Sequence, residues 1–385
     1  MGVLRVILAL SVLLSHVGGI LISSGGRIAL YFGTGGEVAV QCFYILSGFY
    51  MALILDGKYG RTAEGTLLFY TNRLFRLMPL YLLFLCVSFC LSYLATVSYS
   101  FPKQPATDLI LHHDRLGIGA LAYVALSNLF VFGHDLVIFF LGIDPADGSL
   151  FFTTRLPETP RLAIELFFIP QSWTLSLEFS FYLLAPFLVG RTRLSAVLVV
   201  ASLCLRALLY SIGYGPGYHY NFWAYAFFPN ELALFLLGTL SYKLYTRMKG
   251  STILNKTTTA AASALVLALT LGFPLLPRTN TIPFFFNDAQ LVYYTAVVLC
   301  LPFLFALTKD STTDRVIGEL SYPVYLSHLM IIPFFGVLYR PGQPVTTVAA
   351  VVFATLMVSL LAIFVEQVPV DRYRGRRLAN SKAVP

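Results

Sequence analysis

Arg5 and His16 share one apolar segment, MGVLRVILALSVLLSHVGGIL, at a spacing that returns both side chains to nearly the same face of a helix. Eleven helical steps advance about 1100°, and at 1.5 Å per residue the two stand roughly 16 Å apart along the axis. An ionisable side chain inside a membrane span is costly and marks function by default. A cation near one boundary and an imidazole past the midplane would hold an anion at one side and move protons deeper in. A neutral imidazole is also the natural general base at neutral pH. A histidine merely hydrogen-bonded to a neighbouring helix is the plainer alternative.

Four further constellations could carry chemistry. Arg73 and Arg76, in TNRLFRLMPLYL, are spaced i, i+3 at the start of the third apolar run, with Lys58 and Arg61 in the preceding loop. Two guanidiniums beside a helix N-terminus would cradle phosphate; ordinary basic anchoring of a span is the alternative. In PQSWTLSLEFSFYLLAP, Glu178 stands about two turns into a span, flanked by Thr174 and Tyr182 at i−4 and i+4. A carboxylate there must be paired or protonated, and a structural ion pair with Arg206 is one option. Ser172 and Trp173 precede it as candidate site wall. In GELSYPVYLSHLMII, Ser321, Tyr325 and His328 fall at i, i+4 and i+7 on one face, so His328 is a second proton-handling candidate. Finally, Gly33, Gly35 and Gly36 precede a run holding Ser47-Gly48, whose small residues suit close helix packing as readily as ligand contact.

The elements that position these groups emerge from composition. The chain has 385 residues, 57% of them apolar and only 11% charged, against about 25% charged in a soluble domain. Its apolar runs are continuous over lengths that span a bilayer, which excludes the alternation of a β-barrel. Ten such runs are expected as spans: Val3–Ile22, Val38–Leu55, Leu77–Tyr99, Ser172–Val189, Leu194–Ile212, Phe227–Tyr245, Ala260–Leu276, Gln290–Leu307, Gly318–Leu338 and Val345–Val365. The fold class is all-α, a polytopic bundle with both termini cytoplasmic. That orientation puts seventeen of the 26 Lys and Arg in inside loops and seven in outside loops, with Arg5 and Arg206 in spans. An eleventh apolar stretch, Ile118–Leu141, would reverse every later loop if it spanned and turn the basic tail outward, against the positive-inside rule. Residues 100–170 are therefore an external excursion with a re-entrant or surface-lying apolar hairpin, and their length makes them a candidate acceptor-binding lid.

Other classes are set aside. The net charge of +8 is scattered between spans and does not signal nucleic acid. The five cysteines lie in apolar segments without CxxC or metal-type spacing. His112, His113, His134 and His219 share no ligand spacing, so no metal is expected and these histidines receive no role. The first segment has one early basic residue and no A-x-A-like site after it, and is taken as an uncleaved span. No Walker A loop, dinucleotide fingerprint or GxSxG elbow is present.

Taken in order, these segments resemble the acyltransferase family 3 of integral-membrane O-acyltransferases, over nearly the whole chain. The resemblance rests on Arg5-x10-His16, the FYILSGF run, Arg73-x2-Arg76, QSWTLSLE ending at Glu178, SYPVYLSH ending at His328 and Glu366-Gln367-Val368-Pro369. It implies a membrane domain over residues 1–370, a basic cytoplasmic tail over 371–385 and a bacterial inner-membrane location. The implied activity is transfer of an acyl group, acetyl above all, from acyl-CoA to a hydroxyl of a glycan or lipid-linked saccharide. Arg5 and His16 look like the family's active-site pair, and Arg73 and Arg76 like its acyl-CoA contact. Glu178 would orient the site, while Ser47, Ser172, Trp173, Tyr325 and His328 line it. Arg5, Ser172, Trp173 or Tyr325 would stabilise the oxyanion. Gln41 departs from the pattern, standing where many members carry Asp or Glu. The rival class is a proton-coupled transporter or flippase of a saccharide or small polar solute, which intramembrane Arg, His and Glu also suit.

Overall fold

A computed structural model of the chain describes residues 1–23, 33–59, 62–144, 146–153, 166–214, 222–281, 286–338, 344–367, 369–370 and 373. His219, Arg27, Arg155, Arg161, Arg340 and nearly all of the basic tail lie outside the described residues. The helices are α1 (Gly2–Ser23), α2 (Gly36–Gly57), α3 (Ala63–Val97), α4 (Thr107–His112), α5 (Ile118–Phe130), α6 (His134–Phe140), α7 (Trp173–Leu188) and α8 (Thr192–Leu209). They continue with α9 (Phe222–Tyr225), α10 (Phe228–Met248), α11 (Lys256–Leu271), α12 (Asp288–Thr308), α13 (Thr312–Glu319), α14 (Ser321–Leu338) and α15 (Pro344–Ala362). Each of the ten apolar runs falls mostly on one helix, although Gly318–Leu338 begins at the end of α13 and Ala260–Leu276 outruns α11. Among the described residues five segments are long and apolar enough to cross a membrane: α2, α3, Thr192–Ile212, α12 and Val345–Glu366. Prolines sit inside α3, α7, α12 and α14, which helices in lipid tolerate because neighbours re-satisfy the freed carbonyls.

The chain divides into two compact units. The first holds α1, α2 and everything from Ser180 to Ser321. Its tightest crossing joins α2 to α10. A methyl group at Gly48 would fall 1.8 Å from the Phe235 carbonyl oxygen, and one at Gly238 would fall 1.9 Å from that of Ile45. Glycine at both positions lets the backbones touch, as small residues do in membrane helix pairs. Thr239 Oγ1 then donates to Gly48 O at 3.3 Å, and Phe235 stacks on Tyr44 and Phe181. The Gly-rich loop serves a similar end: methyls at Gly33 and Gly36 would press on Ser11 Oγ and Ser15 Oγ of α1, at 2.1 and 2.6 Å. Local signals set the helix starts. Asn287 and Gln290 form a capping box at α12, and Asn255 caps α11. Asp314 of α13 accepts the amides of Gly2 and Val3 at 2.7 and 3.0 Å, closing the N-terminus of α1.

The second unit holds most of α3, the excursion, the first turns of α7, and α14 and α15. Within the excursion the all-α expectation is amended by a small antiparallel hairpin, β1 (Leu141–Ile143) and β2 (Leu150–Phe152), with Leu141 opposite Phe152. Helix α5 is patterned inside out. It buries Ala120, Val124, Ser127 and Asn128 and exposes Ile118, Tyr123, Leu126, Leu129 and Phe130. Polar groups inward and apolar groups outward suit surroundings that are themselves apolar, in keeping with an apolar excursion element. Asn128 is its anchor: Nδ2 donates to Leu166 O, Oδ1 accepts from Phe168 N, and its carbonyl accepts from Tyr81 Oη.

Candidate functional site

Helix α1 runs unbroken through Arg5 and His16. The expected separation of roughly 16 Å along the axis therefore stands. His16 Nδ1 lies 2.9 Å from Val12 O. A carbonyl only accepts, so Nδ1 carries a proton and the basic nitrogen of the neutral ring is Nε2. The helix backbone thus sets the tautomer that a carboxylate often sets elsewhere. By residue, His16 is exposed and Arg5 half-buried. Ser47, buried beside the Gly48 contact, belongs to the same unit.

The remaining nominated residues belong to the second unit. Arg73 and Arg76 keep their i, i+3 spacing, but α3 begins at Ala63, ten residues before Arg73. The expected helix N-terminus beside them is absent because the polar stretch 63–76 continues the apolar helix. Another feature takes its place. Asn72 is fully buried, and among the described residues neither its Oδ1 nor its Nδ2 has a hydrogen-bond partner; buried Arg73 Nε has none there either. Unpartnered buried polar atoms are rare in folded chains, and here they cluster on a basic turn.

The start of α7 is held on two sides. Gln171 Nε2 donates to Leu326 O and Tyr325 O at 2.8 and 3.2 Å, and Tyr325 Oη donates to Gln171 O at 2.8 Å. Thr174 Oγ1 lies 2.7 Å from Tyr325 Oη. On the other side, Ser172 Oγ donates to Ile169 O at 2.7 Å and lies 2.6 Å from His134 Nδ1. Since the Ser172 proton goes to the carbonyl, His134 Nδ1–H is the donor to Ser172. Ser176 Oγ donates to Asp135 Oδ1 at 2.6 Å and accepts from Gly133 N. The hydroxyl protons of Ser172 and Tyr325 are thus spent on backbone carbonyls, an arrangement that positions the wall. Trp173 is buried and Glu178 half-buried on the same helix. His328 is fully buried, donates from Nδ1 to Tyr325 O at 2.8 Å, and keeps its ring 5.9 Å from that of Tyr325.

Three features are not among those nominated from sequence. His134, given no role, is fully buried against Ser172, with Nε2 unpartnered. Burial pushes its pKa down to about 3, against the pull of the Ser172 contact, so the ring is neutral. The ion pair offered to Glu178 and Arg206 is replaced: Arg206 Nη2 bonds Glu231 Oε1 at 2.7 Å, both residues buried. The signal was present, since Glu231 interrupts the run Phe227–Tyr245 as plainly as Glu178 interrupts its own. Asn72 left no signal, being one polar residue beside basic ones. Among the described residues no group of three or more His, Cys, Asp or Glu could hold a metal ion.

Comparison with known proteins places these positions in a family. The O-acetyltransferase OatA of Staphylococcus aureus strain NCTC 8325 is 25% identical over 351 residues, covering 86% of this chain and 52% of the relative. The same figures hold for OatA of strains COL and MRSA252. The chain spans about half the length of these curated relatives. No solved structure matches it. A family described as an acyltransferase domain matches residues 1–364, nearly the whole chain and every nominated site residue, and the chain belongs to this acyltransferase family 3.

Proposed function

We propose that the protein is a bacterial inner-membrane O-acetyltransferase with ten spans and cytoplasmic termini, moving acetyl from acetyl-CoA to a hydroxyl of a glycan or lipid-linked saccharide. The observation that carries this reading is the His16 tautomer: Nδ1 bears the proton it gives to its own helix, so Nε2 is the basic nitrogen. His16 Nε2 takes the acceptor proton as the acceptor oxygen attacks the thioester carbonyl. The tetrahedral intermediate collapses, the carbon–sulfur bond breaks, and the departing thiolate recovers the proton from His16. One ester and one free thiol result. Arg5, about three turns along α1 from His16, serves the anionic donor on its way to the base. Arg73 and Arg76 take the phosphates of the donor, and Asn72 supplies a further donor and acceptor beside them. Glu178 orients the polar stripe of α7, and the clamp of Ser172, Tyr325 and His328 fixes the wall around Trp173.

The test is replacement of His16 with Ala, with free thiol release from acetyl-CoA and acetyl transfer assayed in membranes of matched protein level. Loss of a general base lowers the rate about 10²- to 10⁴-fold. Transfer within a few-fold of the unsubstituted protein rejects the assignment. Absence of thiol release from the unsubstituted protein would favour transport.

A further inference from the structure

Within the first unit, four helices send polar side chains to one buried place. Gln41 of α2 donates from Nε2 to Glu231 Oε1 of α10 at 2.9 Å, and Arg206 of α8 reaches the same oxygen. Tyr294 of α12 donates its hydroxyl to Gln41 Oε1. All four side chains are less than a tenth exposed. The ion pair is joined by a single contact, Nη2 to Oε1, rather than by the two-pronged geometry a guanidinium and carboxylate can adopt. Glu231 Oε2 and Arg206 Nε, both buried, have no hydrogen-bond partner among the described residues, and neither has Asn230 Oδ1 on the adjacent residue. A pair kept only for stability would be expected to use these atoms, because a charged atom left unpaired indoors is expensive.

The cluster adjoins an exposed polar residue. Glu37 lies one turn before Gln41 on the same face of α2, is exposed, and is approached by Gln290 Nε2 at 3.5 Å. The polar stripe of α2 therefore runs from exposed Glu37 to Gln41, which bonds Glu231. Aromatic surface accompanies it: the Arg206 guanidinium lies 4.3 Å over the Phe286 ring, which meets Tyr294 edge to face at 5.2 Å.

We infer that Arg206 and Glu231, with Gln41 and the exposed Glu37 above it, form a subsite for the sugar hydroxyls of the acceptor. One hydroxyl satisfies both unpartnered atoms of the pair, accepting from Nε–H and donating to Oε2. Flat polar side chains beside aromatic rings supply the rest of saccharide recognition. The inference rests on the acyl-transfer reading for the identity of the ligand as acceptor. A bound water would satisfy the same two atoms, and the experiment separates the two.

Membranes containing the protein are supplied with radiolabelled acetyl-CoA, and cell-envelope saccharide is titrated as acceptor. Glu231→Gln keeps the shape of the pair but turns an acceptor into a donor toward the ligand hydroxyl. It is expected to raise the half-saturating saccharide concentration about tenfold, the worth of about 1.4 kcal/mol. Arg206→Lys, which removes Nε, should act in the same direction. Ser241→Ala is the control for structural loss, since it removes a buried hydrogen bond to Val298 O from the same helix α10. A water-filled structural pair predicts that Glu231→Gln lowers thermal stability and maximal rate with half-saturation unchanged, and that outcome overturns the inference. So does an equal rise in half-saturation for Ser241→Ala. A second arm measures retention of radiolabelled envelope saccharide by immobilised protein without any donor. Retention that depends on Glu231, with no acetyl transfer by the unsubstituted protein, keeps the subsite and rejects the acyl-transfer reading. Transfer whose half-saturation ignores Glu231 does the reverse.

Discussion

His134 should make the fold acid-sensitive, by an amount the structure sets. Its Nδ1–H is committed to Ser172, and its Nε2 is buried with no partner, the ring standing edge-on to Phe167 at 4.1 Å between centroids. Protonating Nε2 would place an unpaired cation against an aromatic wall. Burial accordingly pushes the pKa from 6.5 down to about 3. Between those values the unfolded chain holds a proton that the folded chain refuses, so stability is intact above 6.5 and falls as the pH drops toward 3. The linkage amounts to about 1.4 kcal/mol lost between about pH 7.5 and about pH 5.5 from this one group. The assay is the unfolding free energy in mixed micelles at both pH values, for the unsubstituted protein and for His134→Gln. The variant should be less stable at the higher pH, having lost a buried hydrogen bond, but its pH dependence should shrink by that same amount. Equal pH dependence in both proteins would refute the assignment of a buried neutral ring, and greater stability at the lower pH would invert it.

Two other substitutions test the packing and the donor site. Gly48→Ala must drive α2 away from the Phe235 carbonyl, which a methyl would meet at 1.8 Å, and should cost about 1–3 kcal/mol as overpacking does. An unchanged melting temperature and activity would show that the two helices do not cross there. Replacing Arg73 and Arg76 together with Gln should raise the KM for acetyl-CoA more than tenfold, because each charge-assisted hydrogen bond is worth about 1.5–3 kcal/mol. Truncated donors lacking the nucleotide phosphates should then lose their disadvantage, and an unchanged KM refutes phosphate docking.

Legibility in the sequence was governed by periodicity and hydropathy. Runs of apolar residues near bilayer length are strong signals, and each of the ten lies mostly on one helix. The start of α3 was not legible, because Ala63–Arg76 is polar enough to read as loop and becomes helix only as an extension of the apolar run that begins at Leu77. That moved Arg73 and Arg76 from a helix end to a helix interior, and with it the reason they suit an anion. The strands β1 and β2 are three residues each, too short for alternation to register. Val131, a β-branched residue at φ 66° just before α6, likewise carries no local sign of the left-handed turn it makes.

Pairing is the harder part, since it depends on which helices become neighbours. The sequence offered Arg206 as the intramembrane guanidinium beside that of Arg5, and two carboxylates, Glu178 and Glu231, each interrupting an apolar run. Nothing in spacing selects between them. The choice is made by the glycines at 48 and 238, which draw α10 onto α2 closely enough for Gln41 to reach Glu231, and Arg206 of α8 then completes the set. Small residues thus determine the electrostatics by determining the distance. Gly238→Ala, a substitution that touches no charge, should therefore weaken the Gln41–Glu231 contact as Gly48→Ala does. If those contacts bear on acceptor binding, packing and half-saturation should fail together in both variants.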